Sequence, residues 1–178
     1  MAAQLELGKA ATWGLFAAWV IHDAEELATM PAWVRRVRRH LDGRLPTAVT
    51  RRPDDLGRGE HVAVAMGLMA CLMATAAARG ARTDGRSRMY QAVLYGFGAH
   101  SVPHVLSAAL TRTYTPGLVT AVTVVAPFWW WSSRRLREAG VPPAPLPAAA
   151  LPLVPASIAA AHLGAGSLLR LRDRLRRR

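Results

Sequence analysis

The stretch that decides the fold is AATWGLFAAWVIHDAEELATM, residues 10–30. It begins with twelve mostly apolar residues, as a membrane-spanning helix does, and then places His22, Asp23, Glu25 and Glu26 where apolar residues should continue. An acidic residue near the centre of a membrane costs about 2.5–3.5 kcal/mol, so such residues are rare there and usually functional. His22, Glu25 and Glu26 are spaced i, i+3 and i+4, which places them on one face of a helix. We expect this face to point into a helical bundle.

The composition supports a membrane protein with basic loops. The 178 residues are 52% hydrophobic, yet the net charge is +12, and Lys9 is the only lysine among the basic residues. No nucleic-acid partner is expected, because the arginines lie between apolar segments rather than in one continuous stripe. Cys71 is the only cysteine, which excludes a disulfide within the chain and a cluster of thiolate metal ligands.

Five apolar segments approach or reach the length of about 20 residues that a membrane-spanning helix needs. They lie at about residues 8–30, 60–78, 89–113, 117–133 and 148–171. The fifth contains Pro152 and Pro155, which disfavour a helix interior, so the span count is four or five. The sequence therefore predicts an all-α fold, a polytopic transmembrane helical bundle that forms one domain over residues 1–178.

Two basic segments are expected to meet anionic lipid headgroups. Residues 31–45 are predicted to form an amphipathic helix that starts at Pro31, and residues 170–178 form a basic tail. With five spans, fifteen arginines lie on one side of the membrane and eight basic residues on the other. The positive-inside rule then predicts a multi-pass protein of the inner (plasma) membrane with a cytoplasmic C-terminus.

A second polar group lies in the third segment, where His100 and His104 are one helical turn apart. Pro103 is expected to kink the helix between them, because its ring clashes with the preceding turn and one backbone hydrogen bond is lost. The sequence Tyr114-Thr115-Pro116-Gly117 then forms a tight turn before the fourth segment.

The topology predicts that the polar residues meet. Segments one, three and five run parallel and segment two runs against them, so the polar residues of these segments fall toward the same face of the membrane. We therefore expect one shared polar site, formed by the histidines and carboxylates His22, Glu25, Glu26, Glu60, His61, His100, His104 and His162. Within this set, Glu60 and His61 also suit a solvated helix end.

The sequence resembles the HXXEE-domain family of bacterial membrane proteins. The five residues HDAEE (22–26) match the family signature, and GAHSVPHVLSAALTRTYTPGLVTAV (98–122) is similar to its second block, in which a histidine pair precedes a tyrosine-proline-glycine turn and a threonine. The likeness covers segments one and three and the start of segment four. It implies an integral membrane protein and no established reaction.

The residue types favour a metal site. Imidazole and carboxylate ligands suit zinc, non-haem iron or manganese, and we expect one or two such divalent ions. The predicted ligands are His22, Glu25, Glu26, His100 and His104, with Glu25 and Glu26 as catalytic carboxylates and with Arg112, Tyr114 and Gly117 as supporting residues. An enzyme of this kind would be a metal-dependent hydrolase or oxidoreductase that acts on a lipid-like or hydrophobic substrate.

Two other functions fit the same residues. The histidines and carboxylates could carry protons or ions, although segments two, four and five offer almost no polar residues toward the opposite face. Alternatively, His22 and the two glutamates could form a buried hydrogen-bond network with Arg112 and Tyr114 that fixes helix packing in a scaffold protein.

Overall fold

The computed structural model describes residues 8–41, 59–144 and 147–177. Within these ranges the secondary structure is helical, with no strand. The helices are α1 (Lys9–Leu41), α2 (Gly59–Arg82), α3 (Arg88–Thr111), α4, and α5 (Pro147–Arg176). Helix α4 has three consecutive parts, which are Leu118–Thr120, a π-helical turn Ala121–Val125, and Ala126–Glu138. The prediction of an all-α fold is confirmed.

The helices alternate in direction around a shared core. Tyr90 at the start of α3 and Ser132 in the second half of α4 both contact the Ala11 carbonyl near the start of α1. Gly80, near the end of α2, lies against the Tyr90 ring. Helices α1 and α3 therefore run parallel, while α2 and α4 run against them, as the sequence predicts. Helix α5 packs on α2 and α3.

Small residues allow the helices to approach closely. Gly98 of α3 lies directly against the Trp129 ring of α4, and Gly80 of α2 lies against the Tyr90 ring of α3. A Cβ at Gly80 would stand 2.6 Å from that ring, well inside van der Waals contact. Tyr90 is fully buried, and its hydroxyl donates a 2.6 Å hydrogen bond to the Ala11 carbonyl oxygen. Tyr90 therefore joins α1, α2 and α3 at the end of the bundle where the described chain begins.

Two predictions based on proline are wrong. Pro31 lies inside α1 instead of starting a separate helix, so residues 31–41 of the predicted basic segment continue α1. Residues 42–45 of that segment lie outside the described residues. A proline removes one backbone hydrogen bond but need not end a helix that is long on both sides. For the same reason Pro152 and Pro155 lie within the continuous helix α5.

The membrane spans are only partly supported by length and composition. Among the described residues, α2 is the one helix that is long and apolar enough to cross a membrane. Helix α1 fails this test partly because it carries His22 and its acidic neighbours, and α3 partly because it carries two histidines and Pro103. The polar residues that form the site thus lower the mean hydropathy of the helices that position them.

Candidate metal centre

Three histidines and one glutamate converge between α1 and α3. His22, Glu26, His100 and His104 each offer one ligand atom, and these four atoms lie within 4.8 Å of one another. We call these residues the four-residue group. His22 is 1% exposed, and the other three members are partly buried. The group unites the motif of the first segment with the histidine pair of the third.

The three imidazole rings are packed edge to face. The ring centroids of His100 and His104 are 4.6 Å apart, and that of His22 lies 4.9 Å from His104 and 5.3 Å from His100. The Nε2 atoms of His100 and His104 are 3.1 Å apart. Glu26 Oε1 lies 3.7 Å from His104 Nε2. Pro103 therefore does not prevent the i, i+4 histidine pair from meeting on one face.

Thr120 fixes the orientation and the tautomer of His22. The Thr120 hydroxyl has a single hydrogen, which it donates to Glu25 Oε2 over 2.5 Å. His22 Nδ1, 2.8 Å from the same hydroxyl oxygen, must then carry a hydrogen and donate it. The lone pair of neutral His22 is consequently on Nε2. This atom is buried and has no hydrogen-bond partner among the described residues. An unpaired buried acceptor is costly, and a bound cation would satisfy it.

The backbone sets the tautomer of His104 in the same way. His104 Nδ1 lies 2.8 Å from the carbonyl oxygen of Pro116, which can only accept, so Nδ1 donates and Nε2 carries the lone pair. Metal-binding histidines usually donate their second ring N–H to a carbonyl, a carboxylate or a similar acceptor, which raises the basicity of the ligand nitrogen. His22 and His104 both show this arrangement.

Glu25 lies outside the four-residue group and is held by α4. Its carboxylate accepts hydrogen bonds from the Tyr114 hydroxyl at 2.6 Å and from the backbone N–H groups of Val119 at 3.2 Å and Thr120 at 2.7 Å. Thr120 also donates through its hydroxyl. Gly117 precedes the first turn of α4 and has no side chain to cap it, so Glu25 supplies the cap from another helix. Burial, and then the bond to Glu25, raise the pKa of the Tyr114 phenol.

Gly117 leaves room for His22 of α1 and His104 of α3 beside the start of α4. Its φ of +79° is in the left-handed region that favours glycine. A Cβ there would lie 2.7 Å from His104 Cε1 and 2.9 Å from His22 Cε1. The π-helical turn of α4 begins one residue after Thr120, and such turns are frequent at functional sites.

The structure divides the predicted shared polar site in two. His61 and His162 pair with each other between α2 and α5, with His61 Nε2 3.1 Å from His162 Nδ1 and with stacked rings. Glu60 forms an ion pair with Arg172. Arg112 is exposed at the C-terminal cap of α3. Tyr114 binds Glu25 beside the four-residue group, and Gly117 lies against His104 and His22 within it.

Sequence reasoning gave Thr120 no role of its own. The structure shows that this residue connects both halves of the first motif to α4, through His22 and through Glu25. A signal for it was present, because a threonine after the turn belongs to the block that resembles the HXXEE family. Its partners could not be read from the sequence, since they lie almost one hundred residues away.

Comparison with known protein families identifies the family to which the first motif belongs. The profile of a family described as a protein of unknown function with HXXEE motif matches residues 13–132. This range contains the four-residue group, Glu25 and Thr120, and it ends before α5. The resemblance seen in the sequence is confirmed. No curated protein and no solved structure matches the chain.

Proposed function

The chain belongs to the HXXEE family, and we propose that it is an integral membrane enzyme whose four-residue group binds one divalent metal ion. The observation that carries this proposal is the buried His22 Nε2, which has a lone pair and no partner among the described residues. It faces two more imidazoles and the Glu26 carboxylate. The donors are three nitrogens and one oxygen, a set that suits zinc, iron or manganese.

The outer surface supports a location in the membrane. Large apolar side chains are exposed on α1, α3, α4 and α5, where water would have to solvate them. They include Ile21, Val102, Val105, Leu106, Leu110, Val119, Val122, Trp130 and Leu163. A soluble monomer rarely exposes so much apolar surface, whereas lipid chains would cover it without cost.

The accessible edge of the group supports a hydrophobic or lipid-like substrate. The side chains of Glu26 and His104 are 23% and 11% exposed, and their apolar neighbours in sequence, Leu27 and Val105, are exposed as well. A bound metal of this type supplies a Lewis acid and lowers the pKa of bound water. Of the two predicted catalytic carboxylates, Glu26 belongs to the four-residue group and is partly exposed. Glu25 has both oxygens occupied by donors.

Metal content tests the binding part of the proposal. Detergent-purified protein should retain close to one equivalent of zinc, iron or manganese by mass spectrometry, and His100→Ala should lose it. His162→Ala is a matched control, because His162 lies outside the group. Absence of metal from the wild type after reconstitution with each ion would contradict the metal site. The contacts around Glu25 and Thr120 would then be explained as a structural hydrogen-bond network. A wild type and a His100→Ala variant with equal metal would place the ion elsewhere.

Lipid profiling tests the enzymatic part. The metal-loaded wild type and the His100→Ala variant are incubated with a polar lipid extract, with water and oxygen present, and the lipids are compared by mass spectrometry. A lipid that only the wild type consumes supports an enzyme. Identical profiles would contradict an activity on these lipids even where metal binding holds.

A further inference from the structure

The last turns of α5 present an apolar face that no described residue covers. Leu168, Leu171 and Leu175 are spaced i, i+3 and i+7, which places them on one side of the helix. They are 49%, 54% and 63% exposed. These residues lie beyond the range that matches the HXXEE family, so the face is a feature of this chain rather than of the shared site.

Two arginines border this face. Arg170 and Arg174 are one helical turn apart and, with Ser167 and Leu171, line a shallow notch of about 220 Å³. Among the residues that the structure describes, no carboxylate forms an ion pair with either of them. Arg172, in contrast, is neutralised by Glu60 and Asp173. The notch therefore combines two guanidinium groups and a hydroxyl with one leucine of the apolar face.

The position of the notch in the bundle suits a membrane surface. The ion pair of Arg172 with Glu60 holds this part of α5 beside the beginning of α2. Helix α1 runs against α2, so its last turns, with the exposed Arg35 and Arg39, are at the same end. Basic helix ends that flank apolar segments are typical of the leaflet that contains anionic lipids.

We infer that the notch of Ser167, Arg170, Leu171 and Arg174 binds the phosphate of an anionic phospholipid, with the acyl chains along Leu168, Leu171 and Leu175. Paired guanidinium groups bind phosphate oxygens in a fixed fork. Ser167 lines the notch without serving as a donor, because its hydroxyl donates to the Leu163 carbonyl oxygen over 2.9 Å. A free phosphate would use the arginines but would leave the leucine face uncovered. The inference rests on the proposed membrane location and is independent of the metal.

Another explanation of the arginines is local. Cations near the C-terminus of a helix interact favourably with its dipole, which would stabilise α5 without any ligand. This explanation predicts that replacement of Arg170 and Arg174 changes helix stability and leaves lipid binding unchanged. The lipid site predicts that the same replacement weakens lipid binding and leaves helix stability nearly unchanged.

Binding of short-chain lipids to the full chain in detergent separates these explanations. The probes are dioctanoyl phosphatidylglycerol, dioctanoyl phosphatidylcholine and inorganic phosphate, followed by native mass spectrometry. We expect phosphatidylglycerol to bind at least about tenfold more tightly than phosphatidylcholine, and the double variant Arg170→Gln/Arg174→Gln to lose about tenfold or more of that affinity. The matched control is Arg82→Gln/Arg86→Gln, which removes the same charge from exposed positions at the opposite end of the bundle.

Several results would overturn the inference. Equal affinity for both lipids, or equal loss in both double variants, would exclude a specific headgroup site. Displacement of the lipid by millimolar phosphate would contradict the part of the inference that assigns the acyl chains to the leucine face. Metal content of the Arg170→Gln/Arg174→Gln variant should match the wild type, so failure of the lipid site leaves the metal site untouched. Extraction of the wild type from membranes without detergent would instead contradict the membrane location on which the inference rests.

Discussion

The hydroxyl oxygen of Thr120 lies 2.8 Å from Nδ1 of His22, and this contact determines which ring nitrogen of His22 is available to a metal. Because Thr120 gives its only hydrogen to Glu25, the chain of contacts runs from the Glu25 carboxylate through Thr120 to His22. Glu25 thus positions His22 without being one of the four converging residues.

Thr120→Val should weaken metal binding by about 10- to 100-fold, the usual effect of removing a group that orients a ligand. Valine has nearly the shape of threonine but cannot accept the His22 N–H, so the ring loses its fixed orientation. Thr120→Ser keeps the hydroxyl and should bind metal nearly as the wild type does. Competition with a chromophoric chelator measures both affinities. Equal affinity of the valine and serine variants would contradict this role.

The two adjacent glutamates should respond differently to replacement by glutamine. Glu26→Gln removes the only carboxylate of the four-residue group, so metal retention should fall sharply while the metal-free protein keeps its melting temperature. Glu25→Gln places an amide N–H against backbone and hydroxyl donors, so the metal-free protein should lose about 1–3 kcal/mol of stability. Thermal unfolding in detergent with a chelator present makes the comparison. A metal-free Glu26→Gln variant that is less stable than Glu25→Gln would contradict the structural role assigned to Glu25.

Gly117→Ala should abolish metal binding. The added Cβ requires both a left-handed backbone conformation and space that His104 and His22 occupy. Gly140→Ala is a matched control, because Gly140 also has a positive φ of +67° but no atom of the described residues lies within 4 Å of its Cβ position. Both variants should be destabilised by backbone strain of about 1–2 kcal/mol, and only Gly117→Ala should lose the metal. Loss in both variants would mean that strain alone explains the effect.

Tyr90→Phe should reduce stability without affecting the metal. The variant keeps the buried ring but leaves the Ala11 carbonyl without its 2.6 Å hydrogen bond, which costs about 1 kcal/mol. Ser132→Ala removes a longer contact of 3.4 Å to the same carbonyl and should cost less. Calorimetry in detergent and metal analysis of both variants check this. A change in metal content would show that the two ends of the bundle are coupled.

Periodicity and spacing predicted much of the architecture. The apolar segments correspond to the five helices, and the i, i+4 histidines do meet the first motif. Proline suits the first turn of a helix and disfavours its interior, so the sequence predicts a helix start at Pro31 and an interruption at Pro152 and Pro155. The long helices α1 and α5 continue through these residues.

The division of labour within the motif could not be predicted. Adjacent residues on a helix point about 100° apart, so Glu25 and Glu26 face different neighbours, and only the packing of α3 and α4 decides which neighbours these are. The separate pairing of His61 with His162 has the same origin. All these residues fall toward one end of the bundle, but the packing of α5 against α2 brings His162 to His61 rather than to the group.

X-ray absorption at the metal edge tests the central claim most directly. Protein loaded with one equivalent of zinc should show a first shell of nitrogen and oxygen only, with imidazole scattering from three rings in the wild type and from two rings in His22→Ala. His61→Ala should leave the spectrum unchanged. A spectrum that is identical in the wild type and in His22→Ala would contradict the assignment of the metal to the four-residue group.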